Sequence, residues 1–276
     1  MTAQLKTQAI DAAFFDWRDD TAVAWLGNAG VLIVARGTVL LIDPVISLVE
    51  RDGERVLETG HRLKTALPIE AETVPRADAV LYTHADGDHF GRRTAEALDR
   101  RLKPTFVAPP PVCVRLEEMG VPKARLVTAR EGESIPVDSV RVTVTPALHD
   151  WQQTNPWQRG DCCGFLVKTP DGTVWHPGDT RLLDEHLQVR GVDVLFFDVA
   201  VCRSHLGPEG SARLAATCGA ADLIAYHYGT VDVPPGGPFG SDPAGCLPLV
   251  ADLPSRFLLL NPGEPFRLPS AAPDRV

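Results

Sequence analysis

The sequence predicts an α+β fold with two β-sheets and with helices packed on their outer sides. Three observations support this prediction. Hydrophobic residues make up 44% of the 276 residues, which is enough for a sizeable core. These residues form short apolar runs, and 23 glycines and 24 prolines punctuate the chain, which favours short strands and many loops. Strands dominate the beginning and alternate with helices later, so two sheets with outer helices would bury the apolar runs.

The first quarter of the chain changes from a helical to a β-type pattern. A short helix is expected within residues 1–20, with an apolar face formed by Leu5, Ala9, Ala12 and Ala13. Three β-type runs separated by GNAG and RGT turns then predict an antiparallel meander: residues 23–26, 31–34 and 39–42. The polar segment 45–75 is too long for a simple turn and is expected to form a lid or flap beside a site.

The remaining chain mixes strands with helices and shows no composition break that would indicate a second domain. Strands are predicted at residues 79–82, 105–107, 140–144, 165–167, 174–176, 194–197, 223–226 and 257–260. Helices are predicted at residues 92–102, 112–119 and 208–218. The Gly- and Pro-rich residues 229–245 predict a loop.

Charge and composition exclude several function classes. The formal net charge is −9 and no block of five like charges occurs, which argues against binding to nucleic acid. No apolar run approaches the length of a membrane span, and residues 1–10 lack the apolar core of a signal peptide, so we expect a cytoplasmic protein. Six cysteines without a C-x-x-C pair are expected to be reduced thiols, mostly buried.

The segment 83–91, THADGDHFG, carries four side chains that can bind a metal ion. It begins where an apolar strand stops and ends where a helix starts, and Gly87 gives the loop backbone freedom. The four side chains are those of His84, Asp86, Asp88 and His89. Imidazole together with carboxylate is the donor set of zinc, manganese and iron sites.

Three further candidates follow apolar strands elsewhere in the chain. His149 comes after the strand at 140–144, Asp179 after the strand at 174–176, and His227 ends the strand at 223–226. Strand ends can direct such side chains into one crevice, so we expect all of these groups to form one site. His176 is expected beside the ligands, whereas His61 and His186 are expected to face solvent.

These motifs resemble the metallo-β-lactamase superfamily. The family's H-x-H-x-D-H motif matches residues 84–89 except at Asp86, where most members have His. WLG at 25–27, LIDP at 41–44 and GDT at 178–180 also resemble the family, over residues 22–268. GPE at 207–209 and YHYGT at 226–230 resemble the branch containing L-ascorbate-6-phosphate lactonase and N-acylphosphatidylethanolamine phospholipase D. The resemblance implies a four-layer αββα sandwich at 22–268, with an N-terminal extension at 1–21 and a C-terminal tail at 269–276.

The resemblance also implies a dinuclear, metal-dependent hydrolase. One ion would be held by His84, Asp86 and His149, the other by Asp88, His89 and His227, and Asp179 would bridge them. Water activated as hydroxide by the two ions would cleave an ester, lactone or phosphodiester bond of a small molecule. Asp88 and His205 are assigned catalytic roles, His205 as a proton donor or oxyanion contact. The loop after His149 supplies the expected substrate contacts: Trp151, Trp157 and Arg159.

Three points stay open in the sequence. With Asp86, three carboxylates would face the two ions, which favours manganese or iron over zinc and also admits a mononuclear site. A di-iron redox or oxygen-activating enzyme on the same fold is therefore the alternative to the hydrolase, and a non-catalytic binding module is a third interpretation.

No nucleic-acid partner is expected, and a homo-oligomer stays open.

Protein purified without added metal should contain manganese or iron, because the carboxylate of Asp86 adds a hard oxygen donor. Elemental analysis of the purified protein measures this directly. Stoichiometric zinc would contradict the inference of a hard metal ion.

Overall fold

A computed structural model describes residues 5–233 and 238–268 of the chain. Its strands in chain order are β1 (Thr21–Gly27), β2 (Gly30–Ala35), β3 (Thr38–Ile42), β4 (Leu48–Arg51), β5 (Glu54–Leu57), β6 (Ala79–Leu81), β7 (Thr105–Ala108), β8 (Leu126–Thr128), β9 (Ser134–Val137), β10 (Val140–Pro146), β11 (Cys163–Thr169), β12 (Gly172–His176), β13 (Val194–Asp198), β14 (Asp222–Tyr226), β15 (Arg256–Leu258) and β16 (Pro265–Arg267). The helices are α1 (Ala12–Phe15), α2 (Arg92–Leu102), α3 (Pro110–Glu118), α4 (Gly207–Cys218) and α5 (Leu247–Val250).

The strands form two seven-stranded sheets and a separate hairpin. The first sheet has the order β16-β1-β2-β3-β6-β7-β8 and the second the order β15-β14-β13-β12-β11-β10-β9, while β4 pairs only with β5. The meander β1-β2-β3 is antiparallel, as the sequence predicts. From β3 to β8 the first sheet is parallel, and so is the second sheet from β12 to β15.

Successive side chains of the first strands point to opposite faces of the sheet, and the core is therefore divided into two layers. Val23 and Trp25 of β1 pack into the cluster shared with the second sheet, whereas Ala22 and Ala24 pack into the cluster shared with α2 and α3. Successive side chains of a strand point to opposite faces, so burial of every residue in β2 and β3 requires cover on both sides. Helix α4 covers the second sheet through residues such as Leu214. These layers confirm the predicted αββα sandwich.

Helix positions agree with the sequence except at the N-terminus. Helix α2 has the predicted bounds, and α3 and α4 begin one or two residues earlier than predicted. The expected helix within residues 1–20 is reduced to α1, and its predicted apolar face is wrong. Phe14 and Phe15 are the buried residues, while Ala12 and Ala13 are exposed. Within the described residues no helix exceeds 12 residues, and none has the length and apolarity needed to cross a membrane.

Two other expectations need correction. The segment 45–75, expected to be irregular, contains the hairpin β4–β5, whose turn uses Asp52 and Gly53 at positive φ. Its role as a lid or flap stays a prediction. The expectation that His186 faces solvent is wrong, because its side chain is buried. Inside the protein its Nε2 donates to the carbonyl of Pro146 at 2.7 Å, which satisfies the polar nitrogen. Part of the predicted loop at 229–245, residues 234–237, lies outside the described residues, as do 1–4 and the predicted tail at 269–276.

One buried carboxylate joins the two sheets. Asp171 lies in the turn between β11 and β12 and accepts hydrogen bonds from Thr21 Oγ1 at 2.9 Å and from Arg36 Nη2 at 2.6 Å. The Arg36 and Thr21 bonds outweigh the effect of burial and hold the pKa of Asp171 below its usual value. The carboxylate therefore stays charged and links β1 and β2 of the first sheet to the second sheet.

Replacing Asp171 with Ala should lower the free energy of unfolding by about 1–3 kcal/mol, since a buried hydrogen-bonding group loses its partner. Denaturant unfolding measures this change. The exposed Asp184 provides the matched control, and Asp184→Ala should be close to neutral. Equal stability of the two variants would contradict the proposed link between the sheets.

Candidate metal centre

The loop between β6 and α2 carries the predicted motif. His84 and His89 are fully buried, whereas the side chains of Asp86 and Asp88 retain 21% exposure. The following helix begins after Gly91 without a cap of its own, and Glu58 caps it from outside by accepting the N–H groups of Arg93 at 2.7 Å and Thr94 at 3.1 Å. The segment that contains the hairpin β4–β5 thus fixes the end of the motif loop.

Three other strand ends bring the remaining candidates to the same place. His149 follows β10, Asp179 follows β12, and His227 follows β14. Before Asp179 the chain turns through Gly178 at φ +67°, where a Cβ would lie 2.6 Å from the carbonyl oxygen of Cys163. His227 itself has φ +65° and is held there by its N–H, which donates to Asn28 O at 3.1 Å.

The imidazole Nε2 atoms surround the carboxylate of Asp179. The distances to Asp179 Oδ2 are 3.2 Å from His89, 3.3 Å from His205, 3.9 Å from His149 and 4.0 Å from His84. His227 Nε2 lies 3.6 Å from the other oxygen, Oδ1. Asp179 is therefore the centre of the group, with 2% of its side chain exposed.

Several sets of these donors are close enough to hold one ion each. Ligand atoms of His84, Asp86 and His149 lie within 4.8 Å of one another. The same holds for Asp88, His89 and His227, and for sets that include Asp179 or His205. These sets contain all the residues proposed as ligands from the sequence.

On one side of the centre, a buried carboxylate and a threonine orient two imidazoles. His89 Nδ1 donates to Asp43 Oδ2 at 2.8 Å, and the same oxygen accepts Thr83 Oγ1 at 2.6 Å. Because the Thr83 hydroxyl gives its proton to Asp43, it accepts from His84 Nδ1, 2.9 Å away. Both imidazoles thus donate outward through Nδ1 and present Nε2 to the centre, as metal-binding histidines do.

On the other side, the carboxylate of Asp198 holds two imidazoles. Its Oδ2 accepts His205 Nδ1 at 3.0 Å and its Oδ1 accepts His227 Nδ1 at 3.1 Å. His149 Nδ1 donates to the carbonyl of Ser204 at 3.0 Å. Asp198 and the role of Asp43 are not predicted from the sequence, although Asp198 ends β13 and Asp43 directly follows β3, the same signal that the ligands carry.

The donor set fits divalent cations. Within the described chain, His84 Nε2 and Asp179 Oδ1 are buried atoms without a hydrogen-bond partner, although both face the other donors. A buried polar atom without a partner is costly, and a cation between these atoms would satisfy both. Imidazole nitrogen and carboxylate oxygen suit zinc, iron and manganese.

The surroundings of the centre shift the pKa values of His84 and His89 in opposite directions. Burial lowers the pKa of His84, and the neighbouring His89 adds to this effect. Burial also acts to lower the pKa of His89, but the carboxylates of Asp179, Asp88 and Asp43 outweigh it and raise the pKa well above its usual value. A proton on His89 therefore competes with a metal ion for the same nitrogen.

Asp86 is held by an indole from the loop after β10. Trp151 Nε1 donates to Asp86 Oδ2 at 2.7 Å, and the same oxygen lies 3.4 Å from His149 Nε2. Trp151 is 48% exposed, so part of its side chain lies at the protein surface. The ring of Trp157 contacts His84 edge-on at 5.4 Å between centroids.

The arginine expected to bind substrate is engaged with protein carboxylates. Arg159 Nη2 lies 2.9 Å from Glu131 and its Nη1 lies 2.6 Å from Glu185. These two acceptors neutralise its charge, and contact between Arg159 and a substrate stays a prediction. His176 lies in the core, where its Nε2 donates to the carbonyl of Ala29 at 3.0 Å.

Sequence comparisons identify related proteins over most of the chain. A family model described as the beta-lactamase superfamily domain matches residues 38–228. A metal-dependent hydrolase of Methanoculleus marisnigri is 32% identical over 214 residues, which are 75% of this chain and 81% of the relative.

Structural comparisons show the same fold in solved proteins. Igni18, a metallo hydrolase from Ignicoccus hospitalis, aligns with a TM-score of 0.69 and 19% identity over 89% of this chain and 97% of its own. CmlA, a diiron beta-hydroxylase from Streptomyces venezuelae, aligns with a TM-score of 0.69 and 17% identity over 91% of this chain and 55% of its own. At these identities the similarity concerns the fold.

Trp151→Phe should weaken metal binding about 10- to 100-fold, because it keeps an aromatic ring but removes the hydrogen bond that holds Asp86. Competition with a chromophoric chelator measures the affinity. Trp157→Phe keeps the bond between Trp151 and Asp86 and is the matched control. Equal affinity in both variants would show that the indole N–H does not position Asp86.

Proposed function

The chain belongs to the beta-lactamase superfamily, and from this premise we propose that it is a metal-dependent hydrolase with two divalent ions in the centre around Asp179. Its substrate is a small molecule with an ester, lactone or phosphodiester bond. One ion is assigned to His84, Asp86 and His149, and the other to Asp88, His89 and His227. Asp179 bridges the two sets.

The observation that carries this proposal is the convergence of five imidazole Nε2 atoms on one carboxylate. A histidine that only stabilises a fold has no need to direct Nε2 towards a carboxylate that four other imidazoles also approach. The partnerless atoms His84 Nε2 and Asp179 Oδ1 support the same conclusion. Divalent ions bound there would activate water and polarise the bond to be cleaved.

The protein's own residues hold the reacting groups in place. Asp43 and Asp198 keep the imidazoles oriented, so the donors need little reorganisation when a substrate binds. Asp88 is partly exposed, and its Oδ2 lies 3.7 Å from His89 Nε2. We assign Asp88 to accept a proton from the attacking water. Its backbone carbonyl accepts Asn28 Nδ2 at 3.0 Å, which fixes the loop.

Aromatic side chains surround the centre and favour an apolar group in the substrate. Trp151 is half exposed beside Asp86, and Trp157 lies against His84. Phe239 lies on the opposite side, 5.4 Å from the ring of His227. Such rings supply contact area around a few polar groups, as in sites for small molecules.

The relatives' names agree with this proposal. The protein of Methanoculleus marisnigri is named a metal-dependent hydrolase, and that of Ignicoccus hospitalis a metallo hydrolase. No serine or cysteine nucleophile is required, since water serves as the nucleophile.

A second candidate is a di-iron, oxygen-activating enzyme. Asp86 favours it, because a third carboxylate beside Asp88 and Asp179 adds a hard oxygen donor suited to iron. The diiron beta-hydroxylase CmlA shares the fold. Dioxygen consumption by iron-loaded protein, measured with an oxygen electrode, separates this candidate from the hydrolase.

Asp179→Ala and His89→Ala should each lower the rate of hydrolysis by orders of magnitude while the protein remains folded, because each removes a central metal donor. The assay compares ester, lactone and phosphodiester substrates with metal-loaded protein, and circular dichroism monitors the fold. His61→Ala, outside the centre, is the control. A near-normal rate in either variant would refute the assignment, and so would full activity after chelation.

A further inference from the structure

We propose that His205 is a metal ligand of this centre, oriented by Asp198, and that it acts beside His149 and Asp179. This inference deepens the proposed function and rests on it. The sequence suggested instead that His205 donates a proton or contacts an oxyanion. Both assignments place His205 in the centre, but only a ligand is required for binding the metal itself.

The first argument is that one carboxylate orients His205 and His227 in the same way. Asp198 accepts the Nδ1 proton of His205 through one oxygen, at 3.0 Å, and that of His227 through the other, at 3.1 Å. Each ring therefore presents Nε2 to the same space. Because His227 is an assigned ligand, the identical support of His205 indicates the same role.

The second argument is distance. His205 Nε2 lies 3.3 Å from Asp179 Oδ2, which is closer to that oxygen than the Nε2 atoms of His84 and His149. Donor atoms of His149, Asp179 and His205 lie within 4.8 Å of one another. An ion that contacts His149 and Asp179 is thus within the reach of His205.

The third argument is the local chain. The residue before His205 is Ser204, whose carbonyl accepts the Nδ1 proton of His149. One short segment therefore positions two imidazoles, His149 by its backbone and His205 by its side chain. The segment is itself held by the bond from His205 N to Cys202 O at 3.1 Å, directly before α4.

The chemical reason lies in the change at Asp86. A carboxylate there adds negative charge and removes a nitrogen donor from the set that contains His84 and His149. An imidazole from His205 would add a nitrogen to the donors His149 and Asp179 without adding another carboxylate. Oxygen and nitrogen donors then both contribute, a mixture that iron, cobalt and zinc accept.

The test measures metal binding rather than activity. His205→Ala and the more conservative His205→Gln are loaded with cobalt(II) alone by equilibrium dialysis, and the bound equivalents, the affinity and the visible absorption spectrum are recorded. His227→Ala is the positive control and His61→Ala the negative control. We expect both His205 variants to bind at least one ion at least about 10-fold more weakly, with an altered cobalt spectrum.

Asp198→Asn tests the positioning role separately, since its amide keeps one acceptor oxygen and replaces the other with a donor, so that one imidazole loses its acceptor while no proposed ligand is removed. Its affinity should fall about 10- to 100-fold. Added imidazole should partly restore cobalt binding to His205→Ala, which a lost proton donor would not explain.

The outcomes distinguish this inference from the proposed function. If His205→Ala and His205→Gln fold and bind cobalt with unchanged stoichiometry, affinity and spectrum, while His227→Ala loses binding, His205 is not a ligand and the metal centre stands. If His227→Ala also retains full binding, the metal centre itself is wrong and this inference fails with it.

Discussion

The candidate metal centre depends on buried carboxylates that accept the Nδ1 protons of its imidazole rings. Asp43 fixes His89, and Asp198 fixes His205 and His227, each by accepting the Nδ1 proton. Without these acceptors the rings could rotate, and their Nε2 atoms would not converge. Carboxylate–histidine pairs of this kind also raise the basicity of the nitrogen that faces a metal ion.

The sandwich provides the edge at which these groups meet. Parallel strands direct their carboxyl ends to the same edge of a sheet, so β3 and β6 deliver Asp43 and the motif loop together, while β12, β13 and β14 deliver Asp179, Asp198 and His227. Ligand sites in sheets with parallel strands commonly lie at such ends. The two sheets face each other, so the two groups of donors meet between them.

Asp86 contributes a carboxylate between two imidazoles of the candidate centre. Its oxygen lies between His84 and His149, and Trp151 holds it with an indole N–H. Because Trp151 is 48% exposed, this hydrogen bond joins Asp86 to a side chain at the protein surface.

Local sequence patterns were sufficient to predict the fold class, the central strands and the candidate donors, because apolar alternation and polar residues at strand ends are visible within short segments. They failed for His186 and for α1, where burial depends on distant packing rather than on local hydrophobicity. Which carboxylate accepts the Nδ1 proton of each imidazole ring depends on the tertiary structure. Asp43 and His89 are 46 residues apart, and Asp198 and His227 are 29 apart, so their pairing follows from how the strands align and the sheets pack, which no local pattern encodes.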